Sequence, residues 1–156
     1  MKELHIISVG KIKESRIVEL EQEYCKRLPS HFLKIHEVKS FEENTILEAQ
    51  AIEKKIEAII GRSNSSNFDL ILLSEHGKNR STPEFADWLY NLLAAPSGKI
   101  FLAIGGAAGL DKSLYHKSNQ LLSLSPLTFP HKLARLILIE QIYRAYTIKN
   151  NHPYHK

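Results

Sequence analysis

The densest chemistry in this chain stands at its C-terminal end, in Pro153-Tyr154-His155-Lys156. An aromatic face, an imidazole that can take up a proton near neutral pH and a cation follow one another there. Chain ends usually fray, so a solvated polar tail and a functional one weigh equally on these residues alone. A second group is Gly105, Gly106 and Gly109, directly after the apolar run KIFLAI (residues 99–104). Glycines at the carboxyl end of a buried strand place bare backbone N–H groups where open α/β sheets bind ligands, although a tight turn needing positive φ would also use them. Leu73, Ser74 and the turn Glu75-His76-Gly77-Lys78 end another apolar run in the same manner. Two such strand ends side by side would frame one crevice.

Several chemistries lose their signatures. The first strand leads into GKIKES with Gly10 alone, so the dinucleotide fingerprint G-x-G-x-x-G is missing and NAD and FAD are disfavoured. GGAAGLDKS (residues 105–113) departs from the phosphate-loop pattern, which weighs against ATP or GTP hydrolysis. His152 and His155 flank Pro153 without a third ligand at recognisable spacing, so no metal is expected. Cys25 lies beside Lys26 and Arg27 with no histidine near in sequence and reads as a structural thiol. His5, His31, His36 and His116 show no pattern that assigns them a role.

Positioning these groups calls for alternating strands and helices, and periodicity supplies them. Residues 4–9 and 32–38 read as strands. Residues 14–28 read as a helix with Ile17, Leu20, Tyr24 and Leu28 on one side, and residues 46–60 as a helix ended by Gly61. RSNSSN (residues 62–67) is a loop. DLILL (residues 69–73) is a near-continuous apolar strand, as expected where helices cover both sheet faces. Thr82 is expected to cap a helix whose first residue is Pro83. After the turn Pro96-Ser97-Gly98 come a strand over 99–104, a short helix capped by Asp111, a fifth strand over 121–124 and a long helix over 130–148. The pattern predicts one α/β domain, residues 1–156, with a mostly parallel sheet. Leu133, Leu136, Ile137, Leu138, Ile139, Ile142, Tyr143 and Tyr146 wrap most of the way round the last helix, more than a sheet alone would bury. A second copy of the chain is the simplest further cover, so a homodimer is expected.

Composition narrows the class. With 156 residues, 43% of them hydrophobic, and a single cysteine, the chain can build a core without disulfides. No secretory leader and no apolar run long enough for a membrane helix is visible, so a soluble protein of the reducing cytoplasm is expected. The formal net charge is +4, and the segment from His131 onward accounts for all of it, with Lys132, Arg135, Arg144, Lys149 and Lys156 against Glu140 alone. A basic element on a neutral body suggests nucleic acid as a partner, or a solvated helix face that happens to be basic.

The segments LSEHGKNRSTPEFA (residues 73–86), IGGAAGL (104–110) and LSLSPLTFPHKLARLILIEQIYRAYTIKNNHPYHK (122–156) closely resemble the RlmH (YbeA) family, SPOUT-class methyltransferases of the large ribosomal subunit that act on a pseudouridine of 23S rRNA. The similarity runs over the whole length, and IEQIYRA (139–145) followed by PYHK is its most specific part. One departure is Ser74, where the family usually carries an acidic residue. Glu75 follows at once.

The resemblance implies the α/β knot fold, with a C-terminal trefoil knot that general topology rules treat as exceptional. It implies S-adenosylmethionine as cofactor, bent in the knot and held largely by main-chain groups of Leu73, Gly105, Leu124, Ser125, Pro126, Leu127, Thr128 and Phe129. It further implies methylation of the pseudouridine N3 in the assembled ribosome, by an active site completed across a homodimer, without metal or membrane. Because N3 carries a proton that must leave, His155 with Tyr154 is expected to accept or relay it. Arg144 is expected to stabilise the developing negative charge or grip a phosphate, and His131 is a lesser candidate for the proton. The residues alone also accommodate a non-catalytic ribosome-associated RNA-binding module, or an α/β enzyme that takes another nucleotide at the glycine turn. Stabilisation by S-adenosylmethionine would separate the first reading from both.

Overall fold

The computed structural model describes residues 2–61, 67–96 and 98–156. Along the chain come β1 (Leu4–Val9), α1 (Ser15–Arg27), β2 (Leu33–Val38), α2 (Thr45–Ile60), β3 (Phe68–Asn79), α3 (Thr82–Ala94), β4 (Lys99–Ile104), α4 (Lys112–Lys117), β5 (Gln120–Ser123) and α5 (His131–Lys149). The strands form one five-stranded sheet in the order β2-β1-β4-β3-β5, every pairing parallel. Parallel neighbours cannot be joined by hairpins, and the helices supply the crossovers. The expected α/β class with its parallel sheet is therefore the observed one.

Alternating side chains divide the core into two layers. Leu4 and Ile6 of β1, Ile71 of β3 and Ile100 and Leu102 of β4 pack with Phe85 and Leu89 of α3 and Leu138 and Ile142 of α5. On the opposite face Ile7, Val9, Leu70, Leu72, Phe101 and Ala103 meet Ala49, Ile52 and Ile56 of α2 and Leu114 of α4. A strand that must satisfy both layers has no polar face to show, which explains why these segments read as continuous apolar runs.

The helix ends follow local chemistry. Asn44 caps α2 by accepting the Leu47 N–H, and Asp111 caps α4 as expected. The cap of α3 is Ser81, one residue before the expected Thr82. Ser81 and Glu84 form a reciprocal capping box, which satisfies two orphan N–H groups where Thr82 would have satisfied one. The strand expected over 69–73 continues to Asn79, because its backbone bends through a register shift between Leu73 and Lys78 and pairs again with β5. Residues 62–66 of the expected loop and Ser97 of the expected turn lie outside the described residues.

α5 runs between α1 and α3 and is anchored by a buried polar network. Arg135, 4% exposed, donates to both carboxylate oxygens of Glu21 at 2.7 Å, to Ser8 Oγ at 2.9 Å and to Glu37 Oε2 at 2.9 Å. A guanidinium forked onto a carboxylate fixes both the rotation and the height of the helix. The loop ahead of α5 is thereby held over the carboxyl edge of the sheet.

Candidate active site

At that edge the register break of β3 lies beside the ends of β4 and β5, and a cavity of about 790 Å³ opens there. Ile104, Gly105, Gly106 and Gly109 from β4 and the loop after it line it, with Leu73, Ser74, Glu75 and His76 of β3. Leu124, Ser125, Leu127, Thr128, Phe129 and Pro130 close the remaining side, with His131 and Ala134 of α5. The two segments read from sequence as framing a single crevice do line one cavity, although β3 does not end at Leu73. Of the eight residues that the resemblance assigns to the cofactor, Pro126 alone is absent from the lining and stands exposed.

The glycine loop is built by close approach. A Cβ on Gly105 would lie 2.5 Å from the Gly109 carbonyl carbon and 2.6 Å from its oxygen, closer than any side chain tolerates. The loop folds back on itself there, and the Gly109 N–H donates to Gly106 O at 3.0 Å. The cavity mouth is tied across by Thr128, whose hydroxyl donates to Glu75 Oε1 at 2.9 Å. Below it the Tyr115 hydroxyl donates to Ser74 Oγ at 3.1 Å, so Ser74 serves as an acceptor inside the site. Burial, with Lys132 next to it, lowers the pKa of His131 below the usual imidazole value, favouring its neutral form at the cavity wall.

The three residues expected to do chemistry also come together, but away from that cavity. Arg144 Nη1 lies 3.3 Å from His155 Nδ1, and its guanidinium carbon stands 4.6 Å from the centroid of the Tyr154 ring. A guanidinium can only donate, so His155 turns the Nδ1 lone pair toward it. Tyr154 packs edge-on against Tyr143, with centroids 4.9 Å apart. Pattern reading missed Glu140, which organises the group. Its Oε1 accepts from Arg144 at 2.9 and 2.6 Å and from the Tyr154 hydroxyl at 3.0 Å. The i,i+4 spacing of Glu140 and Arg144 was the available signal. The bond to Glu140 raises the Arg144 pKa. Burial, then contacts with Tyr24 and Glu140, push the Tyr154 phenol up to about 12, so it donates and does not serve as a base near neutral pH. None of Arg144, Tyr154 and His155 lines the cavity of its own chain.

The excess positive charge of the C-terminal segment proves largely committed. Lys132 pairs with Glu14, Arg135 with Glu21 and Glu37, Arg144 with Glu140 and Lys149 with Asp87. A surface of free cations along α5, the basic face suggested by charge counting, is therefore not what the fold presents. Among the described residues there is no cluster of three or more potential metal ligands, and no helix is long and apolar enough to cross a membrane.

Residues 1–155 match the family model described as predicted SPOUT methyltransferase. A ribosomal RNA large subunit methyltransferase H from Exiguobacterium sp. is 38% identical over 159 residues, covering 98% of this chain and 99% of that protein. A relative of the same name from Prochlorococcus marinus subsp. pastoris is 44% identical over 153 residues, covering 98% and 95%. A solved structure, a probable methylase family protein from Haemophilus influenzae, superposes with a TM-score of 0.58 at 15% identity, covering 99% of this chain and 71% of that one. At that identity the structural likeness bears on the fold alone.

Proposed function

The chain belongs to the SPOUT methyltransferase family, and from that premise we propose that it methylates N3 of a pseudouridine in 23S rRNA of the large ribosomal subunit. In this reading residues 1–156 act as one domain, with S-adenosylmethionine as donor, as a homodimer on the assembled ribosome in the cytoplasm. The observation that carries the reading is the cavity of about 790 Å³ at the carboxyl edge, where Leu73, Gly105 and the loop over 124–129 converge. That volume lies within the range of about 300–1,000 Å³ usual for small-molecule sites.

The residues present fit the donor. Leu73, Leu124, Leu127 and Phe129 offer apolar wall for an adenine ring, and Gly105 and Gly106 bring main-chain groups close with no side chain between. When bound, S-adenosylmethionine supplies an activated methyl group on a sulfonium. The protein's own share is to orient that group, exclude water and manage one proton on the acceptor base.

For the proton, His155 is the base in this reading. Arg144 faces Nδ1 at 3.3 Å, and as negative charge develops on the uracil ring the guanidinium turns toward it and frees that lone pair. Glu140 holds Arg144 and the Tyr154 hydroxyl, so Tyr154 orients the group and the proton passes to His155. Since this cluster does not line the cavity of its own chain, a partner subunit must bring its tail to the cofactor site. Exposed Leu133 (43%) and half-buried Leu136 and Ile137, on the α5 turns nearest the cavity, supply apolar surface for such a contact. The direct test maps methyl groups on 23S rRNA by mass spectrometry after incubating unmethylated ribosomes with protein and S-adenosylmethionine. A single N3-methylated pseudouridine is the expected product, and no added methyl group would refute the reading.

A further inference from the structure

With the cations of α5 committed to acids, another set stands free at the same edge of the sheet. β1 passes through Gly10, which has φ +87° and donates its N–H to Val38 O at 2.8 Å, into Lys11-Ile12-Lys13 and α1. Ile12 is 6% exposed, and its N–H donates at 2.9 Å to Glu37 Oε2, the oxygen that also accepts from buried Arg135. Lys11 and Lys13 flank this pinned residue and are exposed, as is Arg16 in the first turn of α1. Among the described residues none of these three forms an ion pair. Lys39 at the end of β2 and Lys112 at the start of α4 are exposed at the same edge. The acids nearby are mostly engaged. Glu14 pairs with Lys132, Glu37 with Arg135, Asp111 caps α4 and Glu48 is buried, which leaves Glu42 and Glu43 exposed on the β2 side and Glu19 exposed on α1, three residues beyond Arg16.

The loop borders the cavity at two points. A Cβ on Gly106, in the lining, would lie 3.2 Å from Val9 Cγ1 at the end of β1. The Glu14 to Lys132 pair ties the cap of α1 to the start of α5, next to His131. We infer that Lys11, Lys13 and Arg16, on a loop held in place by the Arg135 network, form the phosphate-gripping surface for the RNA strand whose target base enters the cavity. Exposed cations release counterions on meeting a phosphate backbone, and a loop already fixed loses little freedom in doing so. The inference rests on the methyltransferase reading for the identity of the RNA, and its test separates the two.

The experiment compares wild-type protein with the triple variant Lys11→Ala/Lys13→Ala/Arg16→Ala. Lys26→Ala, exposed at the far end of α1, is the control. Filter binding to purified 70S ribosomes is followed across a salt series, together with methyl transfer kinetics and S-adenosylmethionine affinity. With three phosphate-gripping cations removed, the slope of log affinity against log salt should fall by about 2–3. KM for ribosomes should rise about tenfold or more at constant kcat, the signature of weakened uniform binding. Cofactor affinity should be unchanged, and the control should match wild type throughout. A triple variant with wild-type slope and KM overturns the inference, as does wild-type protein that binds cofactor but not ribosomes. A triple variant that loses ribosome affinity in a protein that never binds S-adenosylmethionine supports the surface and refutes the methyltransferase reading.

Discussion

Replacing Arg135 by methionine removes the one cation that balances a buried carboxylate. Arg135 and Glu21 are each 4% exposed and are joined by two bonds of 2.7 Å, with further bonds of 2.9 Å to Ser8 and Glu37. Glu37 can recover water, since its side chain is 32% exposed, whereas Glu21 cannot. Breaking a buried pair from one side costs about 3–5 kcal/mol, because the surviving charge keeps its desolvation penalty. At about 2–4 °C per kcal/mol for a chain of this size, the melting temperature should fall by about 6–20 °C. Differential scanning calorimetry of Arg135→Met, Glu21→Met and the double variant Arg135→Met/Glu21→Met gives the answer. The double variant should recover much of the single-variant loss, since two apolar side chains leave no charge stranded. An Arg135→Met protein melting within about 2 °C of wild type would refute the argument. The same result would remove the reason for treating the β1 to α1 loop as prefixed.

Gly105→Ala should lower S-adenosylmethionine affinity at least about tenfold by calorimetry, because the added methyl would lie 2.5 Å from Gly109 backbone and must open the loop. His155→Ala should cut methyl transfer by about 10²-fold or more, the usual scale for a lost general base, while cofactor affinity stays unchanged. Arg144→Ala should slow the same step, and wild-type turnover in either variant would remove its assigned role. Acid should unfold the protein partly through His5, 2% exposed, whose imidazole is pushed down to about 4 by burial and by His36 beside it. The unfolded chain binds that proton below about pH 6.5 and the folded chain only near 4, so stability falls as pH drops through this window. The total is about 3 kcal/mol. His5→Phe should flatten that limb of a stability-against-pH curve from denaturant titration, and an unchanged slope between pH 6.5 and 4 would contradict it.

Much of this arrangement is readable before folding where local punctuation and apolar period coincide. β4 occupies residues 99–104 as expected, because Gly98 and Gly105 bracket an unbroken apolar run. α5 ends at Lys149, one residue beyond its expected limit. The far half of β3 was not legible, since SEHGKN carries no apolar alternation and its pairing with β5 is a matter of backbone geometry. Charge along the segment misleads only as to where free cations stand. Lys132, Arg135 and Lys149 meet Glu14, Glu21 and Asp87 across chain separations of 118, 114 and 62 residues, and no count along the segment reveals such partners. The candidate site was legible as pieces, the glycine turn and the Tyr154-His155 tail. That the pieces lie apart within one chain is a property of the fold, and it is the reason a second subunit is proposed to complete the site.

The most direct measurement titrates S-adenosylmethionine into the purified protein by isothermal calorimetry, with Gly105→Ala alongside. Saturable heat from the wild type, lost in the variant, is the predicted result. A wild-type protein that gives no heat, and whose melting temperature the ligand leaves unchanged, would contradict the account.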